Sequence, residues 1–99
     1  MCGIFSILNY ITAQHKEKGV VDEYSLIEKS FQRGKGRGPE HSTLEYEERF
    51  NALIGFHRLA INGLNPESNQ PLTIDDITLI CNGEIYNYQD LREELKAAG

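Results

Sequence analysis

The second residue of the chain is a cysteine, and a nucleophile in that position can carry its own base. An initiator methionine followed by a small residue is ordinarily trimmed. Loss of Met1 would leave Cys2 with a free α-amine beside its thiol. An α-amine titrates at about 7.7–8.0 and a free thiol at about 8.5, so the two can exchange a proton near neutral pH. N-terminal threonine nucleophiles use the chain's own amine in this way. Read alone, Cys2 fits equally well as a small hydrophobe opening a strand. Gly3 favours the nucleophile, because glycine lets a ligand approach the backbone closely and weakens a strand unless it has such a use.

Acyl transfer needs hydrogen-bond donors for the oxyanion. Asn82-Gly83 offers a side-chain amide and a glycine N–H at the end of an apolar run. One such donor stabilises a transition state by roughly 2.7–4 kcal/mol. The competing interpretation is a hairpin turn, for which Asn-Gly is the strongest short-range signal. Arg58 is a third candidate. Its guanidinium could hold a carboxylate through two parallel hydrogen bonds, or it could form a surface ion pair with an acidic neighbour. His15, His41 and His57 form no metal-ligand spacing with either cysteine. Of the three, only His57 could partner a cysteine in a papain-like dyad, and no local pattern supports it.

The elements that must carry these residues can be read from periodicity. Cys2 to Asn9 is a nearly continuous apolar run and predicts a strand buried on both faces. Tyr10 to Gly19 is polar and predicts a loop. Val20, Tyr24, Ile27 and Phe31 recur at helical spacing, with Gly34 placed to cap the helix end. Arg33 to Pro39 contains three glycines and predicts an irregular basic loop. Ser42 to Glu47 predicts an edge strand and Ala52 to Phe56 a buried one. Leu59 to Pro71 predicts a loop, and Ile77 to Cys81 a further strand with Cys81 packed in the core. Asn87 and Asp90 form a capping-box pattern ahead of the stripe Leu91, Leu95, Ala98, predicting a C-terminal helix.

Composition narrows the function classes. A formal charge of −5 and a pI near 5.1 disfavour nucleic acid as the main partner. No run approaches the roughly eighteen apolar residues of a membrane span. Met1 to Leu8 lacks the basic start and cleavage site of a secretory signal. These features predict a cytoplasmic protein without a membrane role, in which Cys2 and Cys81 do not pair.

Taken in order, several segments resemble one family. Met1-Cys2-Gly3-Ile4-Phe5 is similar to the start of class II, N-terminal-nucleophile glutamine amidotransferases. Arg37-Gly38-Pro39 resembles that family's Arg-Gly-Pro-Asp segment. Gly55-Phe56-His57-Arg58-Leu59-Ala60-Ile61, Asn69-Gln70-Pro71-Leu72 and Asn82-Gly83-Glu84-Ile85-Tyr86-Asn87 resemble the asparagine synthetase branch, the last being the most specific. Glu40 stands where the family usually has Asp, and Gly36 precedes Arg37 where His is common.

The resemblance implies an α+β fold of the N-terminal-nucleophile hydrolase type, with antiparallel sheets layered between helices (αββα). Residues 1–99 are expected to form the N-terminal part of the amidotransferase domain. It implies that Cys2 attacks the glutamine side-chain amide and releases ammonia, with Asn82 and Gly83 as the oxyanion hole. Arg58 would hold the glutamine carboxylate, Leu59, Ala60, Ile61 and Asn62 would line the pocket, and Glu84 would contact the substrate's amino-acid end. Glutamine hydrolysis itself would need no cofactor and no metal. ATP and Mg²⁺ are expected only in a C-terminal synthetase domain that accepts the ammonia and converts aspartate to asparagine. An acidic segment that binds the glutamine amine is expected beyond Gly99, and a homodimer is an assembly the resemblance allows. Two alternatives stand beside this: a non-catalytic module that binds glutamine or a partner, and a glutaminase serving another acceptor.

Overall fold

The computed structural model describes residues 2–10, 23–61 and 63–99. Its centre is a three-stranded antiparallel sheet in the order β1 (Gly3–Ile7), β3 (Ala52–Arg58), β2 (His41–Glu47). The central strand is the one the apolar run Ala52 to Phe56 predicts, extended by two residues to Arg58. Ala52, Leu53, Phe56, His57 and Arg58 are all buried on it. The predicted edge strand also forms, beginning one residue early at His41.

The first strand differs from expectation. It is shorter than Cys2 to Asn9, and its burial alternates rather than covering both faces. Ile4 lies more than half exposed because β1 is at the sheet edge and pairs only with β3. Asn9, with φ 59°, takes the left-handed conformation that ends the strand. The Tyr10 N–H then donates to Asn51 O at 2.6 Å.

Helix α1 (Glu23–Gln32) docks through one residue, Phe31, which is 2% exposed. Its ring stacks on the His57 imidazole with centroids 4.0 Å apart and meets Phe5 edge-on at 5.6 Å. Gly55 makes this possible, since a Cβ there would lie 2.6 Å from the Phe31 ring. The predicted Gly34 cap does not occur. The helix tightens instead into a 3-10 turn over Arg33–Arg37, so the basic run is regular rather than an irregular loop. The His57 ring explains the glycine: a Cβ on Gly34 would come within 3.0 Å of it. Val20 and the predicted loop through Gly19 lie outside the described residues.

The strand predicted from Ile77 belongs to a second sheet, and its partner strand is not predicted from the sequence. β4 (Leu72–Ile74) and β5 (Ile77–Leu79) form a short antiparallel hairpin around Asp75-Asp76. Asp75 supplies the left-handed residue with φ 52°. β5 stops before Cys81, which is exposed and not in the core. The hairpin is held to the main sheet by Arg49. Its guanidinium donates to both Glu47 carboxylate oxygens at 2.8 Å, to Asp75 O at 3.3 Å and to Thr78 Oγ1 at 3.1 Å. Among the described residues between Arg58 and β4, the chain is irregular apart from a 3-10 turn at Pro66–Ser68, and the Gln70–Pro71 peptide is cis.

Helix α2 (Tyr88–Ala98) starts after Asn87, as expected, but the Asn87 side chain makes no capping bond. Asp90 still complements the helix dipole in the first turn. The stripe points to solvent, with Leu95 72% exposed. Among the described residues, no helix is long and apolar enough to cross a membrane.

Two predictions follow from this packing. A Cβ on Gly38 would overlap the backbone of His57 and Arg58, which the sheet holds in place, whereas one on Gly36 meets nothing within 4 Å. Gly38→Ala should lower stability by about 1–3 kcal/mol, while Gly36→Ala should stay within about 0.5 kcal/mol of the parent in denaturant unfolding. The second concerns the clamp. The Arg49 hydrogen bonds hold the Glu47 carboxyl down to about 2. A carboxyl depressed in the folded state stabilises above its ordinary range and loses that contribution as pH falls through the folded value. The stability difference between wild type and Arg49→Met should therefore be full at neutral pH and shrink between about pH 4.5 and 2. A difference independent of pH in thermal melts would contradict the clamp.

Candidate active site

The end of β3 sets the position of the Cys2 thiol. Register pairs Gly3 with His57, so Cys2 faces the residues just past the strand. The Leu59 N–H donates to Cys2 Sγ at 3.3 Å, and the thiol can donate in turn to Leu59 O at 3.5 Å. Arg37 Nε donates to Cys2 O at 3.4 Å, tying the basic turn to the chain start. What lies against Gly3 is protein: a Cβ there would be in ordinary contact with Arg37 and His57.

His57 is not a partner for the thiol. Its Nε2 lies 2.8 Å from Phe31 O and its Nδ1 2.8 Å from Ser42 Oγ. A carbonyl only accepts, so Nε2 carries the proton and Nδ1 accepts from the Ser42 hydroxyl. Both ring nitrogens are thus engaged in packing the sheet against α1. His41 is exposed and bonds Thr43 at 2.9 Å. His15 lies outside the described residues, among which no cluster of His, Cys, Asp and Glu is arranged to hold a metal ion.

Arg58 is 7% exposed, which overturns the surface ion pair. Nη1 donates to Asn65 O at 3.1 Å and to Asn69 Oδ1 at 2.7 Å, and Nη2 donates to Gly63 O. These are uncharged partners, and three of the five guanidinium N–H groups are engaged by them. Glu40 closes the adjoining turn: its N–H donates to Arg58 O at 3.2 Å, and its carboxylate accepts from the Ala60 N–H.

Asn82-Gly83 is not a hairpin turn. Neither residue has positive φ, and both lie in irregular chain after β5. That removes the competing interpretation of the dipeptide. The segment is placed by Gln70, whose Oε1 accepts the Cys81 N–H at 2.7 Å.

These pieces enclose one cleft of about 950 Å³. Cys2, Arg58, Leu59, Ile61, Asn82, Gly83 and Glu84 all line it. Of the pocket residues expected from the sequence, Ala60 does not line it, because its N–H is turned to Glu40. Asn62 lies outside the described residues. Gln70, Cys81, Tyr86 and Tyr88 line the cleft without having been anticipated there. Gln70 and Tyr86 belong to the Asn69 to Leu72 and Asn82 to Asn87 segments, whereas Cys81 and Tyr88 flank the second segment and carried no signal of their own. Cys2 and Asn82 also border a smaller cavity of about 340 Å³, with His57 and Arg37.

The profile of the glutamine amidotransferase domain matches residues 1–99. Asparagine synthetase (glutamine-hydrolysing) 1 of Bacillus subtilis is 38% identical over 101 residues, covering 100% of this chain and 15% of that protein. A probable asparagine synthetase (glutamine-hydrolysing) of Dictyostelium discoideum is 39% identical, covering 100% of the chain and 16% of its own length. Asparagine synthetase (glutamine-hydrolysing) 2 of Arabidopsis thaliana is 37% identical, covering 98% and 16%. The chain thus spans about one-sixth of the length of these relatives. No solved structure matches at a significant level. An α+β chain whose cysteine, arginine and Asn-Gly segments meet in one cleft, and whose whole length matches this profile, belongs to the glutamine amidotransferase domain family.

Proposed function

We propose that this chain carries the nucleophile and most of the substrate contacts for hydrolysis of glutamine to glutamate and ammonia. The observation that carries the proposal is the convergence on one cleft of Cys2, Arg58 and Asn82-Gly83 from three separate segments. Each supplies a different requirement of acyl transfer: an attacking atom, a carboxylate anchor and oxyanion donors.

After loss of Met1, the Cys2 α-amine accepts the thiol proton and Sγ attacks the glutamine side-chain carbonyl carbon. Asn82 Nδ2–H and the Gly83 N–H stabilise the oxyanion that forms. Its collapse breaks the C–N bond, and the proton held on the α-amine passes to the departing ammonia. The thioester is then cleaved by water, whose proton returns to sulfur through the same amine. The two guanidinium N–H groups of Arg58 that no described loop residue engages would bind the substrate carboxylate, with Glu84 at the amino-acid end. The Leu59 N–H keeps the sulfur at the strand end throughout.

The relatives' names and the Asn82 to Asn87 segment support the finer proposal that the ammonia serves asparagine formation. In that proposal a synthetase domain uses ATP and Mg²⁺ to activate aspartate. No residue of this chain is assigned to either. The protein would act in the cytoplasm.

Cys2→Ala should abolish glutamine hydrolysis in the full natural polypeptide while its thermal melt stays unchanged, since little volume is lost. Intact mass should show Met1 absent. A folded, Met1-free sample that resists labelling at Cys2 by a glutamine-like electrophile would instead identify a binding module. Arg58→Ala removes charge-assisted hydrogen bonds, each contributing about 1.5–3 kcal/mol. The KM for glutamine should rise by roughly 10- to 100-fold, and an unchanged KM would withdraw Arg58 from its assigned role.

A further inference from the structure

The donors assigned to the oxyanion sit on a segment with little backbone support. β5 ends at Leu79, and residues 80–85 belong to no strand, helix or turn. Asn82 and Gly83 are exposed. Among the described residues, the hydrogen bonds that reach Cys81, Asn82 or Gly83 come from one side chain, that of Gln70. Its Oε1 accepts from the Cys81 N–H at 2.7 Å, and its Nε2 donates to Cys81 Sγ at 3.8 Å. Gln70 and Cys81 are separated by the β4–β5 hairpin, so the side chain closes the open end of that hairpin across the cleft.

We propose that Gln70 is a positioning residue for the oxyanion hole: by clamping the Cys81 peptide N–H, it fixes the residue immediately before Asn82 and thereby aims the Asn82 amide and the Gly83 N–H. This rests on the glutaminase reading above. An oxyanion donor acts only when it stands within hydrogen-bond distance of where the charge develops, so a small displacement of this segment weakens the transition state more than the ground state. Loss of the clamp therefore lowers kcat and spares KM, whereas loss of a direct substrate contact would raise KM. The 2.7 Å bond needs an acceptor at the length of the glutamine side chain, which predicts which replacements succeed. Glutamate keeps an oxygen there, leucine keeps the size without the acceptor, and asparagine falls one methylene short.

The test compares Gln70→Leu, Gln70→Asn and Gln70→Glu with wild type in the full natural polypeptide. Glutamine hydrolysis, thermal midpoint, Cys2 alkylation by iodoacetamide and inhibition by the aldehyde analogue of glutamine are measured on each. The aldehyde forms a thiohemiacetal with Cys2, whose oxygen probes the oxyanion donors directly. Gln70→Leu and Gln70→Asn should each lose about 10- to 100-fold in kcat with KM within a factor of three, by the size of effect expected for misaligned donors. Aldehyde affinity should fall in parallel, while alkylation and thermal midpoint stay near wild type. Gln70→Glu should recover kcat to within severalfold. If Gln70→Leu fails to fold, the asparagine variant carries the same comparison. Wild-type kcat in the asparagine or leucine variant overturns the clamp, and so does a raised KM with kcat intact. Failure of the glutaminase reading looks different: wild type itself would release no ammonia from glutamine, or would retain that activity in Cys2→Ala.

Discussion

The structure depends on the buried imidazole of His57. An unpaired polar group at that depth would cost about 1–3 kcal/mol, and both ring nitrogens are satisfied, one by Ser42 on β2 and one by the Phe31 carbonyl at the end of α1. Phe31 stacks on the ring face at 4.0 Å. One side chain on β3 thus joins the neighbouring strand β2, the helix end and the 3-10 turn. The surrounding glycines are consequences of this crowding. Gly34 clears the ring, Gly55 clears Phe31, and Gly38 lets the turn run against the β3 backbone. The sequence segment Gly55 to Arg58 therefore encodes a packing centre as much as a pocket.

Placement of Cys2 follows from that centre. Gly3 pairs with His57, Arg37 reaches back from the 3-10 turn to Cys2 O, and the residue after β3 donates its N–H to the sulfur. Cys2 is thereby held by ordered backbone although it stands at the start of the chain, where termini usually fray. The opposite wall of the cleft is built differently. The β4–β5 hairpin is attached to the main sheet through Arg49 and to its own continuation through Gln70. The proposed nucleophile adjoins a sheet, and the proposed donors sit on a segment positioned by side chains. Substitutions in the first wall should reach stability and activity together, while those in the second can separate them.

How much of this was legible in the sequence depended on the range of the interaction. β3 and α1 were visible because their apolar periodicity reflects burial against the element they pack on. β4 was not read because Leu72-Thr73-Ile74 follows a proline and is three residues long, too short for periodicity. The symmetry of Leu-Thr-Ile and Ile-Thr-Leu about Asp75-Asp76 was the available signal. Cys81 was read as core because it continues an apolar run, but the strand ends two residues earlier and Gln70 captures its N–H. Asn82-Gly83 defeats local rules for the opposite reason. A dipeptide that favours left-handed turns is held in neither left-handed conformation nor hairpin, and it faces a cleft. A local preference overridden beside the proposed nucleophile is what a functional segment is expected to show.

Arg58 has the same character. Burying a guanidinium is unfavourable unless its charge is compensated. Here the partners are the carbonyls of Gly63 and Asn65 and the side-chain amide of Asn69, and no carboxylate among the described residues pairs with it. These dipoles satisfy three N–H groups without neutralising the ion. They also fold the loop after β3 around it, so the guanidinium is fixed before any ligand arrives. A cation that is buried, rigid and short of a counter-charge at the wall of a cleft favours an anionic group on whatever enters. For an amino-acid substrate that group is the α-carboxylate. The orientation this imposes would leave the side-chain amide to reach towards Cys2 and the Asn82-Gly83 donors, which line the same cleft. In the proposed glutaminase reaction, selection of the substrate and alignment of its reacting carbon would be two effects of one buried charge.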